Sequence, residues 1–227
     1  MEKSKPQIIL SAAITLDGKI GQKNKKIVLS SKSDKIRVHK LRSKSDAILV
    51  GKNTVEQDDP LLTVRHVKGK NPIRIILDSR GTIKNNSRII KTCKSVSTII
   101  VTSELVSNSN LHRLQKLSLD VIVCGKNQVN ITKLLSILYK KGIKTILLEG
   151  GGTLNHSFLK KNLIDEMIIA LTPYVLGSKN TVNLFEGPSL TSSKIKPSLK
   201  LKKVHKSGNE IISVSYTHLT LPTILLV

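Results

Sequence analysis

Thr145-Ile146-Leu147-Leu148-Glu149-Gly150-Gly151-Gly152-Thr153-Leu154 starts as an apolar run of strand length and ends in three glycines that open a helix. An apolar strand stopped by an acid, then a glycine turn, then a helix, is a building block of open α/β sheets, which collect ligands at the carboxyl ends of their strands. Consecutive glycines let a backbone come close to a ligand. The first turn of the helix behind them offers unpaired N–H groups and a positive dipole end to a diphosphate. The spacing is neither GxGxxG nor a Walker loop. Glu149, set just before the turn, brings acceptors of the kind that the N–H edge of an aminopyrimidine requires.

The same alternation extends in both directions. Gln7 to Thr15, Ala47 to Val50, Ile73 to Asp78, Ser97 to Thr102, Asp120 to Val123 and Glu166 to Thr172 read as strands beside Thr145 to Glu149. Ser31 to Ser45 opens with a Ser-x-x-Asp capping pattern, and Ile131, Leu134, Leu135 and Leu138 recur at helical spacing before Gly142. Leu199 to Ser207 and Glu210 to Tyr216 flank a Ser-Gly-Asn turn and read as an antiparallel hairpin closing one edge. The expected fold is an α/β domain with a mixed, mostly parallel central sheet, flanked by helices. Of the 227 residues 39% are hydrophobic, but Trp is absent and Phe158, Phe185 and three Tyr supply the rings. A core of branched aliphatics suits a sheet.

The formal charge is +23. Lysines are scattered from Lys3 to Lys206, with no basic arm and no aromatic interleaving for base stacking, so a dedicated nucleic-acid role is not the first reading. Spread positive charge draws in anionic ligands. Cys93 and Cys124 lie too far apart for a CxxC site, and the N-terminus runs straight into a short apolar stretch with no secretory pattern, which predicts a cytoplasmic protein. No apolar run reaches the roughly 20 residues of a membrane helix. Residues 1–216 read as one domain. From His218 the chain carries no Lys or Arg, and the 217–227 tail resembles adaptor read-through foreign to the domain; a C-terminal strand pairing across a dimer is the other reading.

Two more clusters follow predicted strands. Ala13-Ile14-Thr15-Leu16-Asp17-Gly18-Lys19-Ile20 ends in an Asp-Gly pair that suits a turn, with Lys19 available as a cation. Gly51 to Arg65 holds a short helical turn, the adjacent carboxylates Asp58 and Asp59, then Pro60 and Arg65. Such a pair before proline often only caps. In so basic a chain it also suggests acceptors for a ligand beside a guanidinium fork for phosphate, which Arg42 could join.

Together with Arg37-Val38-His39-Lys40-Leu41-Arg42, the Asp-Asp-Pro-x-Leu-Thr-Val-Arg core, Asn71-Pro72-Ile73-Arg74 and Leu77-Asp78-Ser79-Arg80, these clusters resemble the pyrimidine reductase family of riboflavin biosynthesis, whose fold is similar to that of dihydrofolate reductase. The resemblance runs from about Pro6 to Tyr216. It implies NADPH-dependent reduction of the ribose of a 2,5-diamino-6-ribosylaminopyrimidinone 5′-phosphate, with NADH as a conceivable substitute and no metal. By resemblance, Ala13, Thr54, Asp58 and the turn Gly150, Gly151, Gly152, Thr153, Leu154 would touch the cofactor. The turn's contact would continue through Ser157; Leu77 and Asp78 would touch the cofactor as well, and Ser79 and Arg80 would suit its 2′-phosphate. Arg42, Leu62, Arg65 and Glu149 would hold the substrate, the arginines at its phosphate. Lys19 and Asp17 would stand near the ribose as candidates for proton movement. The His-x-Glu and Pro-Cys-x-x-Cys motifs of a zinc deaminase domain are missing, which implies the stand-alone archaeal or fungal type, acting before deamination. A homodimer is implied as well. His39 and His156 read as helix-surface residues. The rivals are action on the deaminated compound, a dihydrofolate-reductase-type activity, and a basic nucleic-acid-associated protein.

Overall fold

The computed structural model describes residues 5–177, 179–190 and 199–217; the tail from His218 lies outside them. In chain order the elements are β1 (Gln7–Ile14), β2 (Lys19–Gln22), α1 (Lys32–Lys44), β3 (Ala47–Gly51), α2 (Lys52–Asp58), β4 (Ile73–Leu77), α3 (Arg88–Lys91), β5 (Thr98–Thr102) and α4 (Asn108–Gln115). Then come β6 (Asp120–Val123), α5 (Ile131–Lys140), β7 (Thr145–Gly150), α6 (Gly152–Lys160), β8 (Glu166–Leu171), β9 (Thr181–Asn183), β10 (Lys200–Ser207) and β11 (Glu210–Tyr216).

Among the described residues one nine-stranded sheet runs β10-β11-β8-β1-β7-β3-β4-β5-β6. The pairs from β8 through β1, β7, β3, β4 and β5 to β6 are parallel, and β11 runs antiparallel to its neighbours β8 and β10. This is the expected mixed sheet with its closing hairpin. The central strands are apolar runs because helices cover both faces. Leu49, Ile75, Ile99 and Leu148 on one face pack with Leu134, Leu135 and Leu138 of α5 and Phe158 of α6. Ile48, Val50, Ile76 and Ile100 on the other pack with Val55 of α2, Ile89 and Ile90 of α3 and Leu114 of α4. Full burial of each such side chain stabilises the fold by about 1.5–3 kcal/mol.

Arg74 breaks the apolar pattern of β4, and it is fully buried. Its guanidinium donates to the carbonyls of Leu61, Ile89 and Val96 and to the hydroxyls of Thr92 and Thr98, at 2.7–3.2 Å. Burial pushes its pKa down to about 10, so it stays charged near neutrality, its charge spread over oxygen acceptors. Through Leu61 it anchors the segment that leads to Arg65.

Three features were not foreseen. Lys19–Gln22 pairs antiparallel with Thr181–Asn183 in a second small sheet, where the sequence read only a turn. The helices α3 and α4 were not predicted. His39 and His156 are 4% and 7% exposed, which corrects their reading as surface residues.

Candidate functional site

A cleft of about 1600 Å³ opens along the carboxyl ends of β1, β3, β4 and β7. Ala13, Arg42, Thr54, Asp58, Arg65, Leu77, Asp78, Ser79, Arg80, Glu149 and the Gly150 to Leu154 turn all line it. Sheet order explains the gathering: β7 lies between β1 and β3, and β4 follows β3, so loops distant in sequence leave the sheet side by side.

The glycine turn takes a backbone course that only glycine follows easily. Gly150 and Gly151 take φ of 72° and 104°, a region that side-chain-bearing residues rarely enter. A Cβ on Gly152 would stand 2.4 Å from the Asn183 carbonyl oxygen. Gly151 caps α6 without a side-chain hydrogen bond, so the first-turn amides of this nine-residue helix have no side-chain acceptor from the cap. The side-chain oxygen of Asn155, a residue 1% exposed, has no hydrogen-bond partner. Thr54 Oγ1 donates to the Gly150 carbonyl at 2.9 Å and ties α2 to the turn. An open helix start behind glycines fits the chemistry that a dinucleotide's diphosphate would need.

Asp78 Oδ2 accepts from the Ile83 amide at 2.7 Å, which closes the turn after β4. Ser79 Oγ accepts from the Val129 amide at 3.3 Å, and Arg80 is exposed at the rim. Asp58 is half-buried; burial pushes its carboxyl pKa up against the opposing field of Lys26.

The other end of the cleft is set by charge. Arg42 Nε and Nη2 donate to the two Glu149 oxygens at 2.7 and 2.6 Å, and its Nη1 donates to the Thr63 carbonyl at 3.1 Å. This bidentate pair is nearly buried, with side chains 11% and 14% exposed. Burial works to lower the Arg42 pKa, and the adjacent carboxylate more than reverses it. Arg42, which the sequence assigned to the substrate phosphate, therefore spends its fork on Glu149. Arg65 is exposed, and among the described residues its guanidinium donates to the Thr63 hydroxyl at 2.5 Å. Burial first, then Arg42 and Arg88, lower its pKa while Glu149 opposes them.

Three predicted residues are not brought into the lining. Asp17 accepts from Thr15 Oγ1 at 2.6 Å and from the Gly177 and Leu176 amides at 2.9 and 3.2 Å, and these bonds hold its pKa at about 2. Lys19 Nζ donates to Asn183 Oδ1 at 2.6 Å. Leu62 is 2% exposed in the core beneath α2, with a φ of 52° that is unusual for an apolar side chain. It shapes the turn before Arg65 instead of walling the cleft. Conversely, His39, Gln128, Val129 and Glu186 line the cleft without having been singled out for it. Of these four His39 stood inside a quoted motif; Gln128, Val129 and Glu186 reach the cleft through folding that no local pattern announces.

Among the described residues no group of three or more His, Cys, Asp or Glu could hold a metal ion, and no helix is long and apolar enough to cross a membrane.

The model of the RibD C-terminal domain matches residues 6–213. A protein named 2,5-diamino-6-ribosylamino-4(3H)-pyrimidinone 5′-phosphate reductase from Methanothermobacter thermautotrophicus is 37% identical over 216 residues, covering 94% of this chain and 98% of that one. A protein of the same name from Aquifex aeolicus is 33% identical over 92% of this chain and 95% of its own length. Among solved structures, RibD of Acinetobacter baumannii superposes with a TM-score of 0.79 at 25% identity over 95% of this chain, which spans 59% of that longer protein. The riboflavin biosynthesis reductase Rib7 of Saccharomyces cerevisiae gives 0.73 at 21% identity, with 95% and 91% of the two chains covered, a likeness of fold.

Proposed function

The chain belongs to the RibD C-terminal domain family, and from that premise we propose that it is the NADPH-dependent reductase of 2,5-diamino-6-ribosylamino-4(3H)-pyrimidinone 5′-phosphate in riboflavin biosynthesis. One observation carries the reading: a single cleft joins the open amide end of α6 to Glu149 and to the exposed guanidinium of Arg65. A dinucleotide and a phosphorylated aminopyrimidine require those three features together.

Opening of the ribose ring turns the N-glycoside into an imine at C1′, and reduction there leaves a ribitylamino group. NADPH would supply the hydride. The protein positions and polarises. Arg65 binds the substrate phosphate, and that remote binding energy orients C1′. Glu149, aimed by the Arg42 fork, accepts from the pyrimidine N–H edge. Thr54, Ala13, Asp58 and the Gly150 to Leu154 turn hold the cofactor, with Leu77, Asp78, Ser79 and Arg80 toward its 2′-phosphate. Leu62 acts through the turn that carries Arg65. Lys19 assists ring opening after exchanging Asn183 for substrate, whereas Asp17, an anion with three donors, serves its turn. The working unit is a homodimer. The register puts Leu201, Val204 and Ile211, which are 60%, 53% and 45% exposed, on one sheet face that a second copy would cover.

NADPH consumption, followed with the diamino compound beside its deaminated analogue and dihydrofolate, tests the proposal. Turnover of the diamino compound first among the three is the expected result. Preference for the deaminated analogue would move the enzyme to the other side of deamination. Silence on all three from folded protein, with salt-sensitive binding of duplex DNA, would replace the reductase by a basic binding protein.

A further inference from the structure

The loop that carries Arg65 is held in large part from α1, outside it. Residues 63–66 leave the core as irregular backbone whose polar groups need partners. Arg42 donates to the Thr63 carbonyl, and Asn71 Oδ1 accepts from the Val64 amide at 2.8 Å. The amides of Arg65 and His66 share one acceptor: His39 Nδ1 receives the Arg65 N–H at 2.8 Å and the His66 N–H at 3.3 Å. His39 and Arg42 are three residues apart on α1 and so lie on one helical face. That face grips the loop at Thr63, Arg65 and His66.

We propose that His39 is a positioning residue, an obligate hydrogen-bond acceptor that holds the Arg65 backbone so that the guanidinium stands at the anion end of the cleft. The proposal rests on the reductase reading for the identity of the anion, but not for its existence. An Nδ1 that accepts two N–H groups cannot carry a proton, so the neutral ring has its hydrogen on Nε2. A protonated ring would give up both bonds. The surroundings keep it neutral: His39 is 4% exposed, Arg42 lies one turn along α1, and Arg65 and His66 approach from the loop, the His66 ring edge-on at 4.5 Å. Burial first, then Arg42, Arg65 and His66, lower the His39 pKa to about 4.

Two substitutions separate the acceptor from the bulk of the ring. His39→Leu keeps apolar volume and removes the acceptor; His39→Asn offers an oxygen near the Nδ1 position. Binding of ribose 5-phosphate, measured by calorimetry, reads the anion site without turnover, and Arg65→Ala marks its total loss. We expect His39→Leu to weaken this binding about tenfold, what one well-made hydrogen bond is worth, and His39→Asn to restore it to within about threefold of wild type. In turnover, the KM for the phosphorylated substrate should rise with kcat nearly constant, and the KM for its dephosphorylated analogue should not move. Equal losses in Leu and Asn variants, or equal KM changes with and without phosphate, would overturn the proposal. Nitrogen-15 shifts of the wild-type ring test it even where a variant does not fold: a proton on Nδ1 at neutral pH refutes it. Ribose phosphate binding that follows His39 while the pyrimidine compounds go unreduced would keep this inference and sink the reductase reading.

Discussion

The helices α1 and α5 are similar in length, 13 and 10 residues, and each starts on a side chain that accepts from the third amide beyond it, Ser31 from Asp34 and Asn130 from Lys133. They bury opposite things. Inward from α5 point Ile131, Leu134, Leu135 and Leu138; the buried residues of α1 are Asp34, His39 and Arg42. A helix that hides polar groups gains little from the hydrophobic effect and must be held by specific bonds to specific partners. Those partners are Glu149, Thr63, Arg65, His66 and, through Arg37, Ser11. One helix completes the core and the other frames the cleft, and the difference is visible in what each would lose.

Leu134→Ala strikes the core helix and should give the largest effect. Its side chain is fully buried, so the change leaves a cavity in a close-packed layer and should lower unfolding free energy by about 2–5 kcal/mol in urea denaturation, with KM and kcat near wild type in the folded fraction. Arg42→Met strikes the site helix. It leaves the Glu149 carboxylate without its fork and the Thr63 carbonyl without its donor. We expect kcat/KM to fall on the order of 100-fold, about 2.7 kcal/mol of transition-state stabilisation, with a smaller loss of stability because cleft water can reach the pair. If Arg42→Met unfolded the protein while leaving residual kinetics normal, the contrast between the helices would be false.

The contrast also separates what the sequence discloses from what it hides. Leu134, Leu135 and Leu138 declare α5 by their period, since apolar burial leaves a trace in the residues buried. The helix α1 was found by its cap alone. Nothing local says which of its many polar residues face inward, because that depends on Glu149, 107 positions away in sequence, being brought beside it by the order of β3, β7 and β1. The strand ends, the glycine turn and the residues that line the cleft at Thr54, Asp58 and Arg65 were legible as motifs. Leu62 turning into the core, Lys19 engaging Asn183 and Arg74 replacing a core aliphatic were not, for each is decided by tertiary partners. The short helices α3 and α4 carry too few periodic residues to announce themselves.

Acidification should weaken the α1 side first. The His39 pKa falls from an ordinary 6.5 to about 4 on folding, so the unfolded chain binds the proton more readily between those values. The contribution of neutral His39 is then complete above about pH 6.5 and is lost as pH falls toward 4. Asp17, held at about 2, and Asp46, held low by the Thr145 hydroxyl and the Lys144 and Thr145 amides against its partial burial, act at lower pH. Stability measured by denaturant from pH 7 to 4.5 should therefore decline in wild type and decline less in His39→Leu. Parallel curves would mean that the ring is protonated as easily folded as unfolded.

The smallest test concerns the two caps, where the helices look most alike. Asn130→Ala removes one bond, from the Lys133 amide at 3.1 Å, and should cost about 1 kcal/mol, the usual worth of a cap. Ser31→Ala removes the matching bond to the Asp34 amide, also 3.1 Å, and with it a hydroxyl that donates to Glu210 Oε2 at 2.7 Å. Glu210 is 3% exposed and also accepts the Ser31 amide at 2.8 Å, so the hydroxyl is one of the donors that make its burial tolerable. The cost of Ser31→Ala should accordingly exceed that of Asn130→Ala by about 1 kcal/mol, and the excess should vanish when Glu210→Gln is made in the same chain. An excess that survives that substitution would place the extra stabilisation of α1 in the cap itself, and its dependence on partners from distant elements would then start only beyond the first turn.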